Sequence, residues 1–186
     1  MPMTKFRDWT NTPHLGAICD PTLDFESGIL HCALTAWRGE AGSEGIPARS
    51  RLTARLLKDI LGNVTIFERL EETPSCYRVR LMGTRITAVL GEMQGKTLDE
   101  VLPTDAFVRW TAVLDATLTD LRPLRFASCV AFKKLDFLQA EILLAPLLNE
   151  RGQPSMVFAA TVFKLGVAQV SRLGAVLATS SRELSL

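Results

Sequence analysis

Thiol and imidazole side chains are the residues of this chain that could bind a metal ion or form a nucleophile–base pair. The chain has four cysteines and two histidines, namely Cys19, Cys32, Cys76, Cys129, His14 and His31. No two cysteines form a Cys-x-x-Cys pair, and the histidines do not complete a zinc-binding spacing. We interpret the histidines as surface or helix-packing residues, and Cys76 and Cys129 as small core residues of strands. The sequence therefore predicts no metal site and reduced cysteines.

Other catalytic patterns are missing from the sequence as well. It contains no Gly-x-Ser-x-Gly motif, and Gly95-Lys96-Thr97 lacks the upstream glycine of a phosphate-binding loop. The adjacent acids Asp99 and Glu100 are accounted for by a predicted helix N-terminus, where negative charge is favourable. We therefore expect no catalytic residue and a protein that is not an enzyme.

Composition and charge exclude several classes of protein. Apolar residues make up 47% and charged residues 22% of the 186 residues, and 21 basic side chains are matched by 20 acidic ones. A disordered chain has fewer large apolar residues, and a nucleic-acid-binding protein usually has a clear basic excess. No apolar run reaches the roughly 18 to 20 residues that span a bilayer, and the N-terminus does not resemble a signal peptide. We expect a cytoplasmic protein with no membrane span that does not bind nucleic acid.

The elements that must position any site divide the chain into three parts, residues 1–62, 63–164 and 165–186. The first part begins irregularly, as far as Pro21, and continues with two predicted helices. The first helix carries the apolar stripe Leu30, Leu34 and Trp37 and ends near Gly39. The second helix is predicted over residues 50–61, and the last part of the chain is predicted as a C-terminal helix.

The middle part changes from helical spacing to alternation. Five strands are predicted, over residues 64–70, 76–82, 124–132, 135–145 and 156–163. Between the second and third strands come three helical segments, predicted over residues 85–90, 98–102 and 105–121. Two strands before a helical insert and three after it predict a five-stranded antiparallel sheet with helices on one face, which is an α+β fold.

The residues at the end of the second strand resemble those of a known family. The run Tyr77-Arg78-Val79-Arg80-Leu81-Met82-Gly83-Thr84, followed by Gly91 and Gly95-Lys96-Thr97-Leu98, is similar to short, single-domain bacterial PAS-like proteins. Trp37, Pro47 and Arg49 also match, and the resemblance covers residues 37–163. It implies the strand order 2-1-5-4-3 and a helical insert that forms one wall of a pocket. It also implies a sensory or interaction module that acts through a partner protein.

Some domains of this kind hold a cofactor, but the sequence does not identify a ligand for this chain. Some members use a histidine of the long helix to bind haem, and residues 105–121 contain none. The photoreceptor type bonds a flavin through a cysteine of the insert, and residues 85–102 contain none. Haem and covalent flavin are therefore disfavoured.

A pocket beneath the insert is the remaining site. The candidate ligand-binding residues are Tyr77, Leu81, Thr84, Arg85, Met93, Trp110 and Phe126. Tyr77, Thr84, Arg85 and Trp110 are the ones whose polar groups could orient a ligand. Two interpretations stay open: these residues form plain core, or they surround a small molecule.

The outer face of the sheet is predicted to carry Arg78, Arg80 and Arg125 as a basic stripe, with Gln139 and Glu141 beside it. The apolar stripe of the first helix could cover this face, and we expect an isologous homodimer. The function that follows is a regulatory module in signal transduction that binds an unidentified signalling protein, tuned by a small molecule. The alternatives are a small α+β enzyme of the cystatin or cone type, with an Asp–His pair or a Tyr–Asp pair inside its cavity, and a ligand carrier.

Overall fold

An antiparallel sheet of six strands runs through the part of the chain that the structure describes. The computed structural model describes residues 17–20, 22–42, 45–71, 76–130 and 138–165. The helices and strands are β1 (Ala17–Asp20), α1 (Gly28–Glu40), β2 (Val64–Arg69), β3 (Tyr77–Met82), α2 (Thr84–Leu90), α3 (Leu98–Val101), α4 (Thr104–Asp120), β4 (Leu124–Cys129), β5 (Leu138–Leu148) and β6 (Pro154–Leu165). The predicted C-terminal helix lies outside the described residues.

The strand order is β1-β4-β5-β6-β2-β3. Counted from β2 onward, the five predicted strands have the order 2-1-5-4-3, so the predicted fold and topology are confirmed. Strand β1 adds a sixth member, because Ala17–Asp20 pairs antiparallel with β4 at the edge of the sheet. The prediction of an irregular segment up to Pro21 was wrong at these four residues, which are too few to show alternation.

A bulge in the β2–β3 hairpin divides β3 between the two faces of the sheet. Phe67 lies opposite Val79 and Ile66 lies opposite Leu81, which leaves Arg80 as the extra residue. An extra residue in one strand reverses the side-chain alternation beyond it. The side chain of Leu81 therefore packs on the face opposite to that of Val79.

The inner face of the sheet, as we call the one that bears Val79, is covered by α2, α3 and α4. The turn before α3 is built by a capping box, in which the Thr97 N–H donates to Glu100 Oε2 at 2.7 Å. Apolar residues of all three helices join the inner face in one buried cluster. The helical insert thus lies over the sheet, as predicted.

The outer face is covered by α1. Leu30, Leu34 and Trp37 are buried against it, and Trp37 Nε1 donates to the carbonyl oxygen of Pro146 at 2.8 Å. The apolar stripe of the first helix therefore covers the sheet of its own chain.

The segment predicted as a second helix, residues 50–61, forms turns and short 3-10 helices at Arg49–Arg51 and Leu61–Asn63. Its Ile60 N–H donates to the carbonyl oxygen of Leu57, three residues back. Leu52, Leu57 and Ile60 have helical spacing in the sequence, but these tighter turns bury them as well. The α-helix prediction was therefore wrong here.

Gly83, in the motif at the end of β3, lies where its backbone comes close to that of Gly62. A β-carbon at this position would lie 2.5 Å from the carbonyl carbon and oxygen of Gly62. The Gly83 N–H donates to the carbonyl oxygen of Val64 at 2.8 Å. Only glycine allows this approach, which sets where α2 begins beside the sheet.

Candidate functional site

A cavity of about 80 Å³ lies between the inner face of the sheet and the helical insert. Alternate residues of β2, β5 and β6 line it, as strand geometry requires, whereas the bulge in β3 brings both Val79 and Met82 to the cavity. Apolar and aromatic side chains dominate its wall, among them Phe67, Val79, Met82, Ile86, Leu90, Met93, Leu98, Trp110, Ile142 and Phe163. The space is bounded by strands of the sheet and by α2, α3 and α4, and its wall is mostly apolar.

Two of the predicted ligand-binding residues, Met93 and Trp110, line this cavity. Trp110 stands between two aromatic rings, at 5.5 Å from the ring of Phe67 and 5.6 Å from that of Phe126. Phe126 is buried behind Trp110 and is not part of the cavity wall. It supports the wall by an edge-to-face contact, which holds the indole in place.

Leu81, Thr84 and Arg85 lie away from the cavity. Leu81 is on the outer face because of the bulge, and it lines a more polar groove of about 590 Å³ there. Thr84 and Arg85 are exposed at the start of α2, whose inward face carries Ile86 four residues before Leu90. Neither residue lines the cavity as predicted, because that helical phase directs the first two residues of α2 outward and Ile86 inward.

Arg85 instead contacts the segment that precedes β2. Its Nη1 donates to Asn63 Oδ1 at 3.3 Å, and Asn63 Nδ2 donates to the carbonyl oxygen of Thr161 at 2.9 Å. The arginine thereby helps to fix a buried amide between the 3-10 helix and β6.

Tyr77 is fully buried and bonded to a carboxylate. Its hydroxyl donates to Asp115 Oδ1 at 2.5 Å. Burial, and then the hydrogen bond and charge of Asp115, raise the pKa of Tyr77 far above its ordinary value, so the phenol stays protonated. Neither residue lines the cavity. The pair joins β3 to α4 and does not form the Tyr–Asp site inside the cavity that the enzyme alternative required.

Besides Trp110 and Cys129, the cavity wall contains polar side chains that are not among the predicted ligand-binding residues. They are Thr65, Arg109, Ser128 and Thr161. The side of α4 that carries Arg109 could have been inferred from helical spacing, because Arg109 lies three residues after Ala106 and so shares a helix face with it. The threonines lie on β2 and β6, which are covered on both faces, so any polar side chain there must point into the interior.

Buried charge occurs on the outer face, around Glu141. This carboxylate, with a side chain 5% exposed, accepts from Arg125 Nε at 2.8 Å, Lys164 Nζ at 3.2 Å and the Glu26 N–H at 3.0 Å. Desolvation by burial acts to raise the pKa of Glu141, but these three donors outweigh it and leave the pKa lowered. Glu26 also accepts from Lys164 at 2.8 Å. We call Glu26, Arg125, Glu141 and Lys164 the ionic cluster.

Two arginines of the predicted basic stripe are therefore paired with acidic side chains. Arg125 is paired within the ionic cluster, as its predicted position beside Glu141 allows, and Arg80 Nε lies 3.6 Å from Glu68 Oε2.

Side chains that could have bound a metal serve other purposes. His31 Nε2 is 2.9 Å from the carbonyl oxygen of Phe25, and the two rings meet edge to face. Cys129 is exposed at the end of β4, and Cys76 is half-buried beside Asp99, so neither is the core residue that was predicted. Within the described residues, no three His, Cys, Asp or Glu side chains cluster as metal ligands would. Among the helices that the structure describes, none combines the length and apolarity needed to cross a membrane.

An antiparallel sheet in this order, closed on its inner face by a helical insert, is the architecture of small α+β sensory domains. The chain belongs to the PAS domain family, whose model matches residues 29–162. No curated protein matches the chain.

Solved structures with a similar fold include three sensory proteins. A sensory box histidine kinase/response regulator from Burkholderia thailandensis is 16% identical, with a TM-score of 0.38 over 70% of this chain and 95% of that one. An RNA-binding light-oxygen-voltage receptor is 11% identical, with a TM-score of 0.42 over 77% of this chain and 42% of that one. The LOV domain of the blue-light photoreceptor Aureochrome1 is 12% identical, with a TM-score of 0.38 over 68% and 98%.

Proposed function

We propose that this protein is a cytoplasmic regulatory module of a bacterium that binds a small molecule in the inner cavity and transmits the signal by binding another protein. It is not an enzyme in this proposal. Membership of the PAS domain family supports the sensory role, and the apolar cavity between sheet and insert supports the ligand.

The cavity is the single observation that carries the proposal. Binding sites for small molecules are concave and mostly apolar, with a few polar groups that orient the ligand, and this wall has that composition. Its volume of about 80 Å³ is well below the roughly 300 to 1,000 Å³ of pockets for drug-sized ligands. The ligand is therefore small, or the flexible side chains of Met82 and Met93 move to admit a larger one.

The enzyme alternative needs a catalytic pair that reaches a substrate. The buried phenol of Tyr77 is protonated and bonded to Asp115 outside the cavity wall, so this pair does not favour catalysis there. A ligand carrier would also have the cavity, and it differs from a sensor in that its ligand would not change the affinity for a partner protein.

A homodimer remains part of the proposal. The stripe of Leu30, Leu34 and Trp37 is used within the chain, so a dimer would have to form through another surface. Light scattering of the purified protein at tens of micromolar tests this part, and a monomeric mass would contradict it.

The experiment for the ligand is native mass spectrometry of freshly purified protein. We expect a bound small molecule in the wild type and its loss in Met93→Trp, because the indole would fill the cavity. Val108→Trp is the matched control, because Val108 is exposed on α4 and the ligand should remain. Retention of the molecule in both Met93→Trp and Trp110→Ala would place it outside the cavity and contradict the proposal.

A further inference from the structure

One charged side chain, that of Arg109, is present among the described residues of the cavity wall. Arg109 lies on α4 with Ala106 and Trp110, at the i, i+3, i+4 spacing that forms one helix face, and all three line the cavity. The side chain is half-buried. A cationic side chain therefore contributes to the wall of a mostly apolar space.

Hydroxyl groups add to the polar part of the same wall. Thr65 and Thr161 are 5% and 6% exposed, and Ser128 is half-buried. A hydroxyl can donate or accept a hydrogen bond, whereas a guanidinium only donates. The wall thus offers a fixed positive charge and several donors, and none of its described residues is acidic.

We propose that the ligand is a small aliphatic monocarboxylate, with its carboxylate at Arg109 and its hydrocarbon part among Met93, Trp110 and Ile142. This inference rests on the proposed function, since it names the class of molecule that the cavity takes. Arginine recognises a carboxylate through two parallel N–H···O bonds. Arg109 has an interaction partner within the protein, but a guanidinium carries five N–H donors and can bond to more than one group.

The rest of the wall restricts the ligand further. A second carboxylate would have to lie among apolar side chains without a cation, which is unfavourable, so a dicarboxylate is disfavoured. A cationic ligand would be repelled by Arg109. The volume of about 80 Å³ is about half that of an engineered cavity of roughly 150 Å³ that admits the six carbon atoms of benzene, so it suits a hydrocarbon part of about three or four carbon atoms, with the carboxylate at the edge beside Arg109.

The test compares two molecules of nearly the same shape, isovalerate and its neutral amide, isovaleramide. Their binding is followed by the methyl NMR signals of Met82 and Met93, which both line the cavity. Each compound is titrated to about 20 mM at constant ionic strength, so that a dissociation constant is obtained for the weaker of the two as well. We expect the carboxylate to bind about tenfold more tightly than the amide, because a hydrogen bond between two charged groups is the stronger one.

Arg109→Gln should weaken isovalerate about tenfold and leave isovaleramide within about twofold, whereas Arg109→Lys should recover part of the loss. Arg151→Gln is the matched control for net charge. Arg151 is exposed and contacts Glu71 in the other groove, so its loss should change neither affinity. Circular dichroism spectra and melting temperatures of the free variants check that each one is folded.

Each outcome decides the inference. If the two compounds bound with equal affinity, or if Arg109→Gln and Arg151→Gln lost the same affinity for isovalerate, the proposal of a carboxylate ligand would be overturned. The ligand cavity of the proposed function would not be affected by that result. If neither compound shifts the two methionine signals, the ligand class is wrong. The proposed function then stands or falls on whether native mass spectrometry finds a molecule that Met93→Trp loses.

Discussion

Glu141→Gln is the substitution whose cost can be worked out most directly from the structure. Glutamine keeps the shape and one acceptor oxygen of Glu141 but removes the charge that Arg125 and Lys164 share. Breaking a buried ion pair from one side costs about 3 to 5 kcal/mol. Here Arg125 and Lys164 are 17% and 34% exposed, and Glu26 still contacts both. Water and Glu26 therefore compensate in part, and we expect a loss of about 2 kcal/mol in the free energy of unfolding.

The same charge gives the effect a defined pH dependence. The pKa of Glu141 is lowered in the folded protein, so its stabilisation is fully present above the unfolded pKa of about 4.3. It is lost as the pH falls through the lower, folded-state pKa. The stability difference between wild type and Glu141→Gln should therefore be constant near neutral pH and shrink below about pH 4.

Urea unfolding followed by circular dichroism, at pH 7 and at several acidic pH values, measures this difference. Arg151→Gln is the control, because it breaks an ion pair whose side chains are 72% and 67% exposed and should cost at most about 0.5 kcal/mol. If Glu141→Gln were as stable as this control at pH 7, or if its deficit did not change with pH, the interpretation of the ionic cluster would be refuted.

Three further predictions test the interior. Tyr77→Phe should cost about 1 to 2 kcal/mol in urea unfolding and leave ligand binding unchanged, since Tyr77 is not in the cavity wall; a loss of binding in a stable variant would contradict this. Gly83→Ala should cost about 1 to 3 kcal/mol, because its β-carbon would overlap backbone, whereas Gly39→Ala, with open space around it, should be neutral or stabilising by up to about 1 kcal/mol; equal effects would contradict the close approach. Trp110→Ala and Met93→Trp should both lose the small molecule that native mass spectrometry is expected to find in the wild type. If both variants retained it, the molecule would not lie in the cavity.

The strands could be predicted from the sequence because alternation and helical spacing differ clearly in residues 63–164. The prediction failed where a local feature leaves no periodic trace. The bulge at Arg80 changes the face of Leu81 without changing the pattern of residue types. Strand β1 is only four residues long and depends on backbone pairing with β4. Turns over residues 50–61 bury Leu52, Leu57 and Ile60, whose spacing is also that of a helix, and leave Leu56 exposed.

The site could be predicted only in its apolar part. Met93 and Trp110 were identified because large apolar residues of the insert must face the sheet. Arg85 was chosen for its charge and its closeness to the glycine motif, but the phase of α2 directs it outward. Arg109 was missed because a charged residue on an amphipathic helix is usually assigned to the solvent-exposed face. Which charged side chain reaches a cavity depends on a few degrees of helix rotation, which sequence spacing does not determine.

Whether the inner face is plain core or a cavity was the question that the sequence left open, and the packing explains the outcome. Trp110 fills the space between two phenylalanines, which fixes the distance of α4 from the sheet at that point. Small residues, Ala106 on α4 and the paired Ser128 and Ala140 on β4 and β5, line the space beside it. Side chains of this size cannot reach across a gap that an indole has set, so a void remains. Because an unfilled void costs stability, the combination of one large and three small residues supports the proposal of a bound ligand over that of plain core.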